Sequence, residues 1–153
     1  ILINSKEHIE ITGIPSQHLF GKGAVFLIDS GISVETAPMI SIFMKNMKKQ
    51  TFSDMMRDQF IIYSDACVEG FIHGNLNSLF NNIKLLSSLV LKKFKPMIPS
   101  AFHQLWKAGI DTNDYYLKLC GSGGGGFILG FTKDFDKVKK TLKDYPLEVV
   151  YHF

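Results

Sequence analysis

Residues 115–131 read YYLKLCGSGGGGFILGF, in which two apolar runs are separated by a glycine loop. The runs at Tyr115–Leu119 and Phe127–Phe131 predict two strands that pair antiparallel across the loop. Five of the six residues from Gly121 to Gly126 are glycine. Five glycines together destabilise a fold by about 2–5 kcal/mol, unless the backbone needs positive φ angles. We therefore expect the loop to have a function that requires backbone without side chains.

Several interpretations of the loop follow from its spacing. Gly121, Gly123 and Gly126 satisfy G-x-G-x-x-G, but a dinucleotide-binding motif opens a helix, whereas here a strand follows. A Walker A loop is excluded because no Gly-Lys-Ser/Thr sequence ends the run. A flexible hairpin linker is the structural alternative, although such linkers normally carry Ser, Asn or Asp among their glycines. The favoured interpretation is a backbone whose N–H groups close around an anion, because no Cβ obstructs the approach of a phosphate.

The composition describes one globular domain with a mildly basic charge. The chain has 153 residues, of which 46% are hydrophobic and 13 are Phe, enough for a substantial core. The net charge is +3, and Arg57 is the single arginine among 17 basic residues. This argues against nucleic-acid binding, since bidentate arginine contacts dominate base readout. Cys67 and Cys120 form neither a disulfide framework nor a metal-ligand spacing, which favours the cytoplasm. No stretch reaches the 18 apolar residues typical of a membrane span.

The middle of the chain predicts one strand followed by helices. The apolar run Ala24–Ile28 reads as the strand. The spacing of apolar residues then changes to that of an amphipathic helix, with Thr36 as its natural N-cap and Pro38 in its first turn. Ser53, followed by Asp54, opens a second helix.

The remainder of the chain predicts two further helices and then a return to strands. Leu76–Val90 forms a third helix, which ends before two prolines. Ser100 caps a short fourth helix, and Gly109 takes its C-terminal capping position. After the glycine hairpin, Asp134–Asp144 reads as a helix and Leu147–Tyr151 as the final strand.

The order of these elements predicts the fold class. From Ala24 onward the order is strand, helices, strand, strand, helix, strand, which is the split βαβ pattern with extra helices in its first crossover. We expect residues 21–153 to form an α+β domain with a ferredoxin-like antiparallel sheet and additional helices. Residues 1–20 begin without methionine and read as a strand remnant of a missing N-terminal domain.

Two stretches resemble motifs of a known enzyme family. The run KLCGSGGGG at 118–126 is similar to the third conserved motif of the GHMP kinases, which in the mevalonate kinase branch reads approximately KLTGAGGGGC. The run FLIDSG at 26–31, followed by Thr36, resembles the strand and loop that lead into a helix in mevalonate kinases. The predicted element order is similar to that of the C-terminal domain of this superfamily, so the resemblance covers nearly the whole chain.

The resemblance implies an activity and a set of site residues. The chain would be the C-terminal half of a kinase, most like mevalonate kinase, that transfers the γ-phosphoryl group of Mg-ATP to an alcohol. Thr36 and Ser122 would bind the alcohol acceptor. The residues implied to hold the phosphates of ATP are Gly121, Ser122, Gly123, Gly124, Gly125, Gly126 and Lys118.

The resemblance also implies a partner domain. The nucleotide loop, catalytic aspartate and catalytic lysine of the family lie in an N-terminal half that nothing in this sequence resembles. We therefore expect no catalytic residue and no metal ligand in this segment, which alone would be inactive. ATP and Mg²⁺ would be bound mainly by the missing N-terminal kinase domain, and a homodimer is compatible with this arrangement.

Departures from the family pattern leave the acceptor open. Cys120 stands where relatives often carry Thr, Phe127 where a Cys is common, and Val34 where mevalonate kinases tend to have a basic residue. Phosphomevalonate, homoserine and sugar kinases are therefore alternatives. A stand-alone ferredoxin-like module that binds an anion or regulates another protein is the alternative from a different class. Glu69 and His73 are four residues apart on a helix, a spacing that suits surface pairing better than a metal site.

Overall fold

The computed structural model describes residues 2–3, 9–10, 13–15, 21–33 and 35–153. The strands are β1 (Leu2–Ile3), β2 (Ile9–Glu10), β3 (Ala24–Asp29), β4 (Tyr116–Leu119), β5 (Phe127–Thr132) and β6 (Leu147–His152). The α-helices are α1 (Thr36–Met47), α2 (Gln50–Met55), α3 (Ile62–Ile72), α4 (Leu76–Lys93), α5 (His103–Thr112) and α6 (Phe135–Thr141). A π-helical segment, Met56–Ile61, joins α2 to α3, and 3-10 turns at Lys95–Met97 and Ser100–Phe102 lie between α4 and α5.

The main sheet has four strands in the order β4-β5-β3-β6, and every neighbouring pair is antiparallel. The connection from β3 to β4 passes through α1 to α5 and leaves β5 between its two strands. The connection from β5 to β6 passes through α6 and leaves β3 between its two strands. Two interleaved crossovers of this kind define the split βαβ arrangement. The predicted α+β, ferredoxin-like fold with additional helices is confirmed.

The hydrophobic core lies on both faces of β3, because successive residues of a strand point to opposite faces. Val25 points to the side on which α3 and α4 lie. Phe26 points to the other side, where its ring lies 5.6 Å from the ring of Phe135 in α6. Gly130 is paired with Phe26 across the sheet, and a Cβ there would overlap the Phe26 ring. Gly130 therefore lets a large aromatic side chain lie flat on the strand beside it.

The outer edge of β4 is covered by α4. The backbone N–H of Leu117 donates to the hydroxyl of Ser87, 3.1 Å away, and Trp106 Nε1 donates to the same oxygen at 2.8 Å. Ser87, Trp106 and Leu117 are all fully buried. A serine side chain thus satisfies a strand N–H that an uncovered edge would expose for pairing with another chain.

The starts of two helices differ from the sequence prediction. Thr36 is the first residue of α1 rather than its N-cap; Glu35 is the N-cap, and no side chain caps this helix. Pro38 lies in the first turn, as predicted. The second helix begins at Gln50 rather than at Ser53, because the Lys49 carbonyl already accepts the N–H groups of the first turn.

The fourth helix differs as well. Ser100 begins a 3-10 turn and makes no side-chain cap, and α5 starts only at His103. Gly109 lies inside α5 and not in a capping position. Asn113 is the C-cap, with a left-handed φ of 58°. Helices often end in a left-handed residue, which is usually glycine and sometimes asparagine, because the short polar side chain of asparagine tolerates this conformation better than most others do.

The other predicted elements are present with shifted ends. The third helix extends three residues further, to Lys93, and the helix after the hairpin is shorter, with Asp134 capping it by accepting the N–H of Lys137. Most of residues 1–20 and Val34 lie outside the described residues. Pro15 does contact the domain, since its carbonyl accepts the hydroxyl of Tyr151 at 2.7 Å. No helix within the described ranges is long and apolar enough to cross a membrane.

Candidate anion-binding site at the glycine loop

The backbone of the glycine loop explains its composition. Four of its glycines adopt positive φ angles: 57° at Gly121, 75° at Gly123, 85° at Gly124 and 67° at Gly126. Residues with a Cβ pay about 1–2 kcal/mol for each such angle. The glycines therefore permit a tightly wound loop and are not a flexible linker sequence.

Two backbone contacts hold the loop against its neighbours. The N–H of Gly124 donates to the carbonyl of Met97, 2.6 Å away, in the 3-10 turn after α4. The N–H of Gly126 donates to the carbonyl of Ile32 at 2.7 Å, and its carbonyl accepts the N–H of Ser30 at 3.0 Å. The loop is thereby tied to the segment that leads from β3 into α1.

These contacts reduce the number of N–H groups that an anion can reach. Gly123 donates to the Cys120 carbonyl at 3.2 Å, so the N–H groups of Gly123, Gly124 and Gly126 are already bonded within the fold. In the described part of the chain, the N–H groups of Gly121, Ser122 and Gly125 have no hydrogen-bond partner. Gly121 and Ser122 are consecutive, and consecutive free N–H groups in a left-handed turn form an anion-binding concavity.

A pocket of about 340 Å³ lies beside Gly121 and Ser122. Its walls are mostly apolar, with Ile40 from α1, Phe60 from the π-helical segment and Phe94 after α4 among them. The polar groups that line it are Lys118 and the two loop residues. An apolar pocket with a few convergent polar groups is the usual form of a small-molecule site, in which the polar groups determine orientation.

Among the described residues, Lys118 is the one charged residue that lines this pocket. It is half-buried on β4, and its Nζ donates to the carbonyl of Leu119 at 3.2 Å. No carboxylate within the described residues forms an ion pair with it. An ammonium group in apolar surroundings favours a counter-ion, because attraction between charges is stronger away from water.

Ser122 lies at the pocket, whereas Thr36 does not line it. The Ser122 hydroxyl makes one long contact, 3.4 Å to the Gly123 carbonyl, and so remains available to a ligand. Thr36 is exposed at the start of α1, and the residues of this helix that line the pocket are Ile40 and Phe43. The structure therefore brings Lys118, Gly121 and Ser122 to one pocket and leaves Thr36 outside it.

The remaining polar candidates have structural partners. Asp29 accepts the N–H of Gly31 at 2.9 Å, which closes the turn after β3. Glu69 and His73 approach each other to 3.3 Å on the exposed side of α3, which confirms the surface pairing predicted from their spacing. Among the described residues there is no group of three or more side chains that could hold a metal ion.

Sequence reasoning did not find the apolar walls of the pocket. Met56 and Phe60 have helical spacing, which predicts only that they face a core. Both line the pocket from the π-helical segment between α2 and α3, a form that occurs often at functional sites. The Met97 carbonyl was also missed, because a backbone acceptor leaves no signal in the side-chain sequence.

The same fold occurs in a solved kinase structure. This chain is similar to Streptococcus pneumoniae phosphomevalonate kinase, solved in complex with phosphomevalonate and AMPPNP, with a TM-score of 0.63 and 16% sequence identity. The similarity covers 86% of this chain and 39% of that chain, so this chain spans well under half of the length of the kinase. No family model and no curated protein matches the sequence. The similarity shows a shared fold, and at that level it agrees with the resemblance to GHMP kinases.

Proposed function

We propose that residues 21–153 are the C-terminal domain of an ATP-dependent GHMP-type kinase that phosphorylates a small alcohol. The observation that carries this proposal is the wound glycine loop, whose unbonded Gly121 and Ser122 N–H groups lie beside Lys118 at one pocket. The fold shared with a phosphomevalonate kinase supports it. Residues 1–20 would then be a strand remnant of the N-terminal kinase domain.

The proposed role of this domain is to position the reactants and to stabilise charge. Phosphoryl transfer requires little covalent chemistry from a protein, because positioning and electrostatic stabilisation supply most of the rate enhancement. The N–H groups of Gly121 and Ser122 would donate to phosphate oxygens, and Lys118 would offset their negative charge. The N-terminal domain would supply the nucleotide loop, the catalytic base and the groups that hold Mg²⁺ with ATP.

The acceptor alcohol is proposed to be mevalonate or phosphomevalonate. The run at 118–126 resembles the mevalonate kinase motif, while the solved structure with the same fold is a phosphomevalonate kinase. Ser122 would contact the acceptor, because its hydroxyl has only one long internal contact. Thr36 would contact the acceptor only if an anionic group of the acceptor lies at the N-terminus of α1, a position that attracts anions. A cytoplasmic location is part of the same proposal.

The direct test uses the full-length protein that contains this chain. ADP release would be measured with Mg-ATP and, in separate reactions, mevalonate, phosphomevalonate, homoserine or galactose. We expect turnover with mevalonate or phosphomevalonate, and none from residues 1–153 alone. Absence of acceptor-dependent ADP release with all four compounds would overturn the kinase proposal, and turnover by the isolated segment would overturn the need for a second domain.

The role of the pocket is tested with a lysine pair. Lys118→Met in the full-length protein should lower kcat/KM by about 100-fold, as is typical when one group that stabilises transferred charge is lost. Lys143→Met is the matched control, since Lys143 is an exposed lysine on a separate surface near α6. A similar effect of both substitutions would exclude Lys118 from the site.

A stand-alone anion-binding module remains the second candidate. The sheet, its covering helices and the glycine loop are all built from residues 21–153, so the loop does not need another domain for its shape. This candidate predicts that residues 1–153 bind inorganic phosphate or ATP as tightly as the full-length protein does, while the latter shows no turnover. Calorimetric titration of both proteins distinguishes the two functions.

A further inference from the structure

The shape of the glycine loop depends on a short turn that follows α4. This 3-10 turn, Lys95–Met97, is termed the support turn. The carbonyl oxygen of Met97 accepts the N–H of Gly124 at 2.6 Å, and it is also the first atom that a Cβ on Gly123 would meet, at 2.7 Å. The position of the support turn therefore influences how the loop is wound and which of its N–H groups remain open.

Apolar packing holds the beginning of the support turn. Phe94, the C-cap of α4, immediately precedes the turn and is buried, with its ring 5.4 Å from the rings of both Phe52 and Phe60. The carbonyl of Phe94 accepts the N–H of Met97 at 2.8 Å. Pro96 restricts the backbone inside the turn, because its ring fixes φ. The first half of the turn is thus fixed without any polar side chain.

A histidine side chain holds the end of the support turn. Nε2 of His103, the first residue of α5, lies 3.0 Å from the carbonyl oxygen of Ile98 and 3.2 Å from that of Lys95. A carbonyl oxygen only accepts hydrogen bonds, so Nε2 carries a hydrogen and donates it to these two oxygens. Lys95 and Ile98 lie on either side of Met97 in the chain. The half-buried His103 ring therefore restrains the segment that carries the Met97 carbonyl.

We propose that His103 is a positioning residue for the phosphate site at the glycine loop: its Nε2–H holds the support turn, and the turn places the Met97 carbonyl against Gly124. This inference rests on the proposed function, in which the N–H groups of Gly121 and Ser122 donate to phosphate oxygens. His103 is not among the described residues that line the pocket, so it acts through the backbone and not on the ligand. Donors that are fixed before the reaction stabilise developing charge better than donors that must first reorganise.

Two amide substitutions test which part of the His103 side chain matters. The amide nitrogen of glutamine reaches about as far from the backbone as Nε2 does, whereas that of asparagine reaches only as far as Nδ1. His103→Gln should therefore keep the donation to the Ile98 carbonyl, and His103→Asn should lose it. His73→Asn is the matched control, because His73 is an exposed histidine whose ring nitrogen also contacts a backbone carbonyl, that of Glu69 in its own helix.

The first measurement is hydrogen exchange of single amides in the full-length protein, followed by NMR. His103→Asn should raise the exchange rate of the Gly124 N–H about tenfold, because the turn that carries its acceptor loses one hydrogen bond. The N–H of Gly126 donates to the Ile32 carbonyl instead, so its exchange rate should not change. A general loss of stability would raise both rates, and the difference between them therefore identifies an effect on the support turn.

The second measurement is steady-state kinetics of the full-length protein with Mg-ATP and the accepted alcohol, at a temperature at which all variants are folded. His103→Asn should lower kcat about tenfold and change the KM of the acceptor less than about twofold, because the loop donors act mainly on charge that develops during transfer. His103→Gln and His73→Asn should both stay within about threefold of the wild-type kcat.

Three results would overturn the positioning role of His103. The first is an unchanged exchange rate of the Gly124 N–H in His103→Asn. The second is an equal effect of His103→Gln and His103→Asn, which would mean that the Nε2–H donor is not what matters. The third is a wild-type kcat in His103→Asn despite faster exchange at Gly124. Absence of turnover in the wild type would refute the kinase proposal instead, and the exchange rates would then decide by themselves whether His103 supports the loop.

Discussion

Individual glycines of the loop have different surroundings, although all of them look alike in the sequence. A Cβ on Gly123 would lie 2.7 Å from the carbonyl oxygen of Met97. A Cβ on Gly121 would meet no atom within 4 Å. Both residues have positive φ angles, so the difference between them lies in packing and not in backbone conformation. Gly123 is therefore needed for the packing of the loop, while the space beside Gly121 is free for a ligand.

This difference predicts unequal stability losses. Gly123→Ala should lower the free energy of unfolding by about 2–4 kcal/mol, because a left-handed residue with a Cβ is strained and the Met97 carbonyl must also move. Gly121→Ala should lower it by only about 1 kcal/mol, from the left-handed conformation alone. Urea denaturation of the two variants measures both losses, and equal losses would contradict the assignment of Met97 as the neighbour of Gly123.

At the scale of elements, the domain depends on contacts between helices and the edge of the sheet. Ser87 of α4 connects β4 to α5, since its hydroxyl accepts N–H groups from both Leu117 and Trp106. Gly109 of α5 provides a second connection, because it allows Tyr115, just before β4, to pack directly on the helix backbone. Each contact can be tested by one substitution.

Removal of the Ser87 hydroxyl should be costly. Ser87→Ala leaves the Leu117 N–H buried without a partner, and we expect the free energy of unfolding to fall by about 2 kcal/mol. Trp106 Nε1 would keep its 3.1 Å contact with the Ser87 carbonyl. Ser88→Ala is the matched control, because the Ser88 hydroxyl bonds only to the Lys84 carbonyl of its own helix. That variant should change stability by less than about 0.5 kcal/mol, and a similar loss for both would disprove the special role of Ser87.

Addition of a methyl group at Gly109 distinguishes a packing glycine from an ordinary helical one. Alanine is favoured over glycine inside a helix by about 1 kcal/mol, so Gly109→Ala would stabilise α5 if space allowed. A Cβ at this position would instead lie 2.6 Å from the Tyr115 carbonyl oxygen. We therefore expect Gly109→Ala to lower the free energy of unfolding by about 1–2 kcal/mol, as measured by thermal denaturation. An increase in stability would contradict the structure. Ala108→Gly, on the exposed side of α5, is the control that measures the contribution of helix propensity alone.

At the scale of the whole molecule, an ion pair joins the connection between β3 and β4 to the connection between β5 and β6. Lys137 Nζ in α6 donates to Asp114 Oδ1, which precedes β4, at 2.6 Å. The hydrogen bond from Lys137 lowers the pKa of the Asp114 carboxyl below its usual value. The Asp114 side chain is only 15% exposed, whereas that of Lys137 is 59% exposed, so solvent still screens part of the interaction.

This ion pair predicts the direction of a pH effect. Because the pKa of Asp114 is lower in the folded state, its contribution is present above the unfolded value of about 3.9 and is lost as the pH falls through the folded value. Asp114→Asn should therefore destabilise the protein at pH 7 by less than about 1 kcal/mol, and the difference from the wild type should be smaller at pH 3 than at pH 7. Urea titrations at both pH values measure it. Asp136→Asn, in a more exposed pair with Lys139, should give a smaller difference.

The sequence predicted the element order and the antiparallel hairpin because these depend on local signals. Apolar periodicity separates strands from helices, and a run of glycines marks a turn regardless of what surrounds it. The exact caps were less predictable. Thr36 and Ser100 are good capping residues, yet neither caps a helix here, because the start of each helix depends on where packing turns the chain.

The composition of the glycine run by itself determined that the chain needs an unusual backbone at 121–126, since only glycine adopts several positive φ angles at little cost. Which loop N–H groups stay open was decided only by the tertiary structure, through the carbonyls of Met97 and Ile32, which lie far from the loop in sequence. The same applies to the position of Lys118 at the pocket beside the loop. Local sequence encodes backbone preference, whereas the partner of each polar group depends on which distant segments the packed core brings beside it.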